Sequence, residues 1–425
     1  MRAGAPSSSH ALRLVARISI EQAPSPHVPL RFIVTAPAWG VLAGVLLAWA
    51  GDSLLLTRWA PGTLVLVHAL ALGVLGNVML GSLMQFLPAA AGVTPWGGNR
   101  AAFVLHAVFN VGTAMLLAGF WWSAPRLLGA AAGLLVGAFL LLAAMTLPGL
   151  LRVATQRLLT RGIALAVACG VVASALGARM ALGLAGYADW GLPQQPWADV
   201  HAAWALLGWV GILLASVSQV VMPMFQGTRP IRSGWLVAWL LMVVLALLGA
   251  TLQAARDAGE ELRWTVALAA LAFTLEAMWR QRGRSRRTDA PLVMAWRVGL
   301  AAVASGAVAL LWGAPATVSG ALVLGLGLPM LLVGMLLEIV AFLGWITLRR
   351  TVPRGTRVPG VNRLLGDGGK KVAIAGVCLS GVLVVAASAW PTPLLAHAAG
   401  VATAAAYCVL LLVLARVARR SSTGV

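Results

Sequence analysis

With 425 residues the chain could hold two or three soluble domains, but 60% hydrophobic residues, 10% charged residues and a mean hydropathy of +0.91 exclude that organisation. The formal charge of +20 comes from arginines scattered among short segments rather than from one basic stripe. That pattern excludes a nucleic-acid surface and makes anionic lipid headgroups the natural counter-charge.

Residues 1–31 are polar and carry Arg2, Arg13, Arg17 and Arg31 around a Ser/Pro-rich middle. They contain no apolar run followed by a small-residue cleavage site, so they read as a cytoplasmic arm rather than a secretory signal. About 20 apolar helical residues are needed to cross roughly 30 Å of hydrocarbon. By that ruler, crossings are expected at 32–54, 62–90, 100–122, 127–149, 160–184, 200–226, 234–254, 263–279, 293–313, 318–347, 371–390 and 393–416. The apolar runs are continuous rather than alternating, which excludes a β-barrel and leaves helices to satisfy the backbone in lipid. The expected fold class is all-α: a polytopic membrane protein with twelve transmembrane helices over 32–418, a tail at 419–425 and both termini cytoplasmic.

Charge orients this bundle. Of the 31 Lys and Arg, only Arg58, Arg126, Arg179, Arg256 and Arg263 fall on the non-cytoplasmic side, together with Asp52, Asp189, Asp199, Asp257, Glu260 and Glu261. The remaining basic residues fall on the other side, as the positive-inside bias requires. They include the run Arg280–Arg287 and the glycine-rich 347–371 loop. Trp59, Trp96, Trp121, Trp122, Trp190, Trp235, Trp264, Trp279 and Trp390 stand at segment ends, where an amphipathic ring prefers the headgroup layer. The three cysteines, Cys169, Cys378 and Cys408, lie far apart inside apolar segments and lack the spacing of a zinc site.

Chemistry must then reside within the helices or at their mouths. Three histidines, His68, His201 and His397, sit at a similar shallow depth near the outer ends of the second, sixth and twelfth segments. Imidazole is the commonest transition-metal ligand and a good axial ligand of haem iron, so the three are candidate cofactor and metal ligands. The bland alternative is that each reaches water near the headgroups. In the second segment Gly73, Asn77 and Gly81 form a small stripe suited to helix packing, opposite the His68 face. In the sixth, Gly208 and Ala215 leave a shallow channel beneath His201, fit for a flat macrocycle or a neighbouring helix. Both segments end in a Gln and a Pro, Gln85 with Pro88 and Gln219 with Pro223. These glutamines are candidate partners for an imidazole's second nitrogen. His106 lies above Asn110 and Thr113, a line suited to interhelical hydrogen bonds. Glu338 lies inside the tenth segment, where Pro329 is expected to kink the helix. An intramembrane carboxylate should face the bundle, either paired or solvated.

The strings GSLMQFLPAAAGV (81–93), SQVVMPMFQ (218–226) and EIVAFLGWITL (338–348) resemble those of bacterial twelve-helix inner-membrane proteins related to NnrS and, more distantly, to haem–copper oxidase subunit I. The resemblance implies b-type haem and/or copper as cofactor and a role in respiratory or nitric-oxide metabolism. Carried over by position, His68 matches a helix-2 haem ligand and His201 a helix-6 metal ligand. A homo-oligomer or a respiratory partner would follow. The seventh and tenth segments lack histidine, so a complete oxygen-reducing centre is not expected, and enzymatic turnover is not implied. Two other readings stand beside this one. One is a proton-coupled carrier using Glu338, His106 and the kinked tenth helix; the other is an accessory or assembly subunit without a cofactor.

Overall fold

The computed structural model describes residues 25–188, 194–256, 262–284, 290–351 and 360–423. Among these residues the chain is helical, with no strand. Eleven helices are long and apolar enough to cross a membrane: α1 (His27–Ala50), α2 (Pro61–Ala91), α3 (Gly98–Trp121), α4 (Pro125–Arg152), α5 (Arg157–Leu184), α6 (Gln195–Gln226), α7 (Ser233–Ala255), α9 (Ala290–Leu311), α10 (Ala316–Arg350), α11 (Asp367–Ala389) and α12 (Pro393–Thr423). Between α7 and α9 lies α8 (Leu262–Arg282), comparable in length but less apolar because it carries Arg263, Glu276, Arg280 and Arg282.

The outer faces fit a hydrocarbon solvent. On α7, Leu241, Leu245, Leu248 and Leu252 are exposed at helical spacing and form one apolar stripe. Val45, Leu140, Leu275, Leu379 and Leu412 are likewise exposed on other helices. A monomeric soluble protein does not leave so much contiguous apolar surface open to water. The chain is thus built as a multi-pass membrane protein. Trp59, Trp96, Trp122, Trp264, Trp279 and Trp390 are exposed at helix ends, whereas Trp121 and Trp235 are half-buried and Trp190 lies outside the described residues.

Several helix boundaries differ from the expected ones. Helix α1 begins at His27, inside the stretch expected to be a polar arm, because Pro26 and the apolar Val28, Phe32 and Ile33 start the helix and bury against the core. Residues 51–54 form a tight turn after α1 instead of its last turn. At the other end α12 continues through Arg416 and Arg419 to Thr423, so the basic tail extends the helix.

Helices α1 and α12 pack closely although they come from opposite ends of the chain. Small residues one turn apart make this possible. A Cβ at Gly44 would stand 2.2 Å from the backbone nitrogen of Ala404, and one at Gly400 would stand 2.1 Å from that of Ala48. Gly40 faces the ring of Tyr407 in the same seam. In lipid, where no solvent drives helices together, such backbone-on-backbone packing supplies the dispersion contact. The Gly73–Asn77–Gly81 stripe of α2 serves the same purpose against α1, with Gly73 under Trp39 and Gly81 under Phe32.

Among the described residues three helices carry widened π turns: α2 at Ala69–Gly76 and again at Leu87–Ala91, α6 at Trp204–Gly211 and α10 at Ala321–Gly327. The three longer stretches recur every fourth helix, and each of them ends on glycine. At Gly211 and Gly327 a Cβ would come within 3.3 and 3.0 Å of the carbonyl five residues back, which explains the choice. Such turns are rare and tend to mark functional positions. In α10 the widened stretch ends just before Pro329, the proline expected to kink this helix, and the helix continues through it.

Candidate metal-binding site

His68 is the last residue of α2 before its widened turn, and His201 lies three residues before that of α6. The two helices bring these half-buried rings together, with centroids 6.5 Å apart and planes inclined by 20°. Each ring is held by a backbone carbonyl. Nδ1–H of His68 donates to the Leu64 carbonyl at 2.7 Å, and Nδ1–H of His201 donates to the Ala173 carbonyl on α5 at 3.0 Å. A carbonyl only accepts, so Nδ1 carries a proton in both rings, and Nε2 is the atom left to coordinate when the ring is neutral. This backbone tether is the arrangement by which metal-binding imidazoles are usually oriented. Phe120 lies 5.3 Å from the His68 ring, centroid to centroid, and Gly177 leaves room for the His201 edge, since a Cβ there would sit 2.9 Å from its Cε1.

The spacing can be tested against a shared metal. A metal–nitrogen bond of about 2.0–2.1 Å on each side, plus about 1.1 Å from nitrogen to ring centre, separates two opposed imidazole centroids by roughly 6 Å. The observed 6.5 Å is close to that separation, with the ring planes inclined by 20°. Two neutral nitrogen donors with no thiolate or carboxylate suit copper or haem iron better than a hard cation. Among the described residues no three of His, Cys, Asp and Glu converge into a metal cage.

Above the pair, Arg58 in the loop before α2 donates to the Asp199 carboxylate on α6 at 2.5 Å, and its guanidinium lies 4.5 Å from the centre of the Trp59 ring. This half-exposed clasp ties together the helix ends that carry His68 and His201. Sequence reasoning placed Arg58 and Asp199 on one side of the membrane but did not link them; opposite charges near two candidate ligands were the available signal.

The other candidates lie elsewhere. The Nδ1–H of His397 donates to the Ala48 carbonyl at 2.6 Å, and its other edge lies 3.0–3.1 Å from a Cβ built at Gly51. The ring is exposed and closes the end of α1. The structure thus brings two of the three shallow histidines together and uses the third in the α1–α12 seam. The channel at Gly208 is filled by neighbouring helices: Cys169 of α5 and Leu247 of α7 occupy the space a Cβ would enter. Gln219 donates to the Ser216 carbonyl within its own helix, and Gln85 is buried in α2 without a hydrogen-bond partner among the described residues. Neither glutamine supports an imidazole.

His106 pairs through Nε2 with the Thr35 hydroxyl of α1 at 3.0 Å. Below it Asn110 and Asn77 exchange two amide hydrogen bonds of 3.0 Å, and the Trp39 indole N–H donates to the Asn110 oxygen at 2.7 Å. These bonds join α1, α2 and α3 into one polar seam. Glu338 accepts from the Lys370 ammonium of α11, and both side chains are buried. Glu338 and His106 thus belong to two separate junctions, α10–α11 and α1–α3. Lys370 was not singled out from sequence because it adjoins Lys371 in a basic cluster. Its signal was periodicity: Lys370 shares the buried face of Ala373, Ile374 and Val377, whereas Lys371 is exposed. Comparison with family models and with curated proteins finds no match for this chain.

Proposed function

We propose that this chain is a bacterial inner-membrane protein that binds b-type haem or copper through His68 and His201 and serves respiratory or nitric-oxide metabolism. The observation that carries the reading is the paired imidazoles: two helices present rings 6.5 Å apart, each with Nδ1 tied to a backbone carbonyl, which leaves Nε2 as the nitrogen that could coordinate. The resemblance to NnrS-related proteins and haem–copper oxidase subunit I supports the same choice of cofactor. The absence of histidine from α7 and α10 argues against a complete oxygen-reducing centre. When bound, the metal would supply redox or ligand-binding chemistry. The chain's own residues orient the two rings, and the Arg58–Asp199 clasp holds their helices together. His397, bonded in the α1–α12 seam, is not part of this ligand set.

The topology proposed with this function has twelve crossings, α8 among them, with both termini cytoplasmic and the basic loops against anionic headgroups. The charge division across the helices supports it. Optical spectroscopy of the purified full chain tests the cofactor. The parent should show a Soret band or bind copper stoichiometrically, and His68→Ala and His201→Ala should each lose the signal while remaining helical. A parent protein with neither haem nor copper after expression with both supplied would sink the proposal.

A further inference from the structure

At the opposite ends of α2 and α6 from the histidine pair lies an apolar cavity of about 140 Å³, walled by α2, α6, α9 and α10. It is long and narrow. Its lining runs from Met79 to Ala90 on α2, from Val210 to Phe225 on α6 and from Leu328 to Phe342 on α10. At about 1.5 Å per residue, that is a course of roughly 17–22 Å parallel to the helices. Where one water takes about 10–15 Å³ of such volume, the space holds a single file of about ten water-sized units, each close to a methylene in bulk. The inner end is closed, since Met79, Val210 and Leu328 are buried, whereas Ala90, Phe225 and Phe342 at the other end are half-buried.

The wall defines what fills it. Among the lining residues only Ser82, Gln85 and Trp296 carry side-chain nitrogen or oxygen, and those atoms of Gln85 and Trp296 are sealed by packing and present no surface to the cavity. Water therefore finds almost no partner there, and an empty space forfeits dispersion contacts along its whole length. A hydrocarbon chain restores those contacts, and the flexible thioethers of Met79, Met224 and Met335 adapt to its course. The mouth adds a charge. Phe342 stacks on Trp345 with ring centroids 6.0 Å apart, and the Arg349 guanidinium lies 5.3 Å from the centre of the Trp345 ring. Arg349 is exposed, so a cation stands at the open end of an uncharged channel. One chain's width and a cation at the mouth call for a single-chain anion rather than a diacyl lipid. We infer that the channel between α2, α6 and α10 binds one long-chain fatty acid, with its carboxylate at Arg349 and its tail running inward. This binding does not depend on a metal at the histidine pair.

The test is photolabelling of the purified full chain, in phosphatidylcholine nanodiscs, with hexadecanoic acid that carries a diazirine near its chain end. Peptide mass spectrometry should place the label within 79–90, 210–225 or 328–342, saturating at one per chain. Excess hexadecanoate should suppress this label, whereas an equal amount of dioleoyl phosphatidylglycerol should not. Val217→Trp and Leu332→Trp each place a bulky ring in the channel and should abolish the label there, while the exposed Leu245 of α7 keeps its background labelling. Arg349→Gln should raise the half-saturating concentration about two- to fivefold, the range of an exposed ion pair. Helical circular dichroism reports whether each variant has folded, and labelling of the parent decides even where one has not. No saturable channel label in the parent, suppression by the phospholipid, undiminished label in both folded Trp variants, or an Arg349→Gln protein indistinguishable from the parent would overturn the assignment.

Discussion

A buried ammonium and carboxylate stabilise each other only as a pair. Removing one partner leaves an uncompensated charge, whereas replacing both is often close to neutral. For Lys370 and Glu338 this gives a specific expectation. Lys370→Met should destabilise the protein by about 3–5 kcal/mol, and adding Glu338→Gln should recover most of that loss in reversible unfolding measurements. If the double variant were as unstable as the single one, the pair would have a role beyond charge compensation. The polar seam at Asn110 is a milder case. Asn110→Ala removes the partner of Asn77 and Trp39 and should cost about 1–2 kcal/mol, the range found for hydrogen bonds between membrane helices. At this scale the sequence revealed which residues were unusual but not what they touch. Glu338 and Asn110 were visible as polar groups in apolar spans. Their partners Lys370, Asn77 and Trp39 lie on other helices, at separations that helical periodicity does not encode.

Among the helices, small residues decide which pairs can close. The α1–α12 seam depends on Gly44 and Gly400, each facing a backbone nitrogen that a Cβ could not approach. Even Gly44→Ala should cost about 3 kcal/mol, since the obstacle is backbone that cannot rotate away, while Gly133→Ala on α4, with open space beside it, should be nearly neutral. Equal melting temperatures for the two variants would show that the seam is looser than described. The spans themselves were legible from hydrophobic length and tryptophan placement because those are local properties. The glycines of α2 and α6 were visible too, but the widened turns they close were not: three glycine-containing turns of different composition converge on one geometry only when the whole helix is in place. His397 shows the same limit. Its depth matched that of His68 and His201, yet depth says nothing of azimuth, and its ring turns toward the end of α1.

For the whole molecule, the proposed orientation depends on α8 crossing the membrane despite its charges. If it crosses, Arg256 and Arg284 flank it on opposite sides of the membrane. Single cysteines at these two positions, in a background lacking Cys169, Cys378 and Cys408, should react differently with an impermeant thiol reagent, the first labelled from outside and the second only after permeabilisation. Matching accessibility would remove α8 from the count and invert the sidedness of every later loop. A histidine pair lies near one end of α2 and α6, and an apolar cavity near the other. Both lie between α2 and α6, so the packing that brings the imidazoles together also walls the cavity.

The most direct measurement is the metal and haem content per chain of purified parent, His68→Ala, His201→Ala and His397→Ala proteins. The shared-ligand account predicts one haem or one copper in the parent, near-complete loss in either of the first two variants and full retention in the third. Retention after either first substitution, or a parent with neither cofactor, would contradict it.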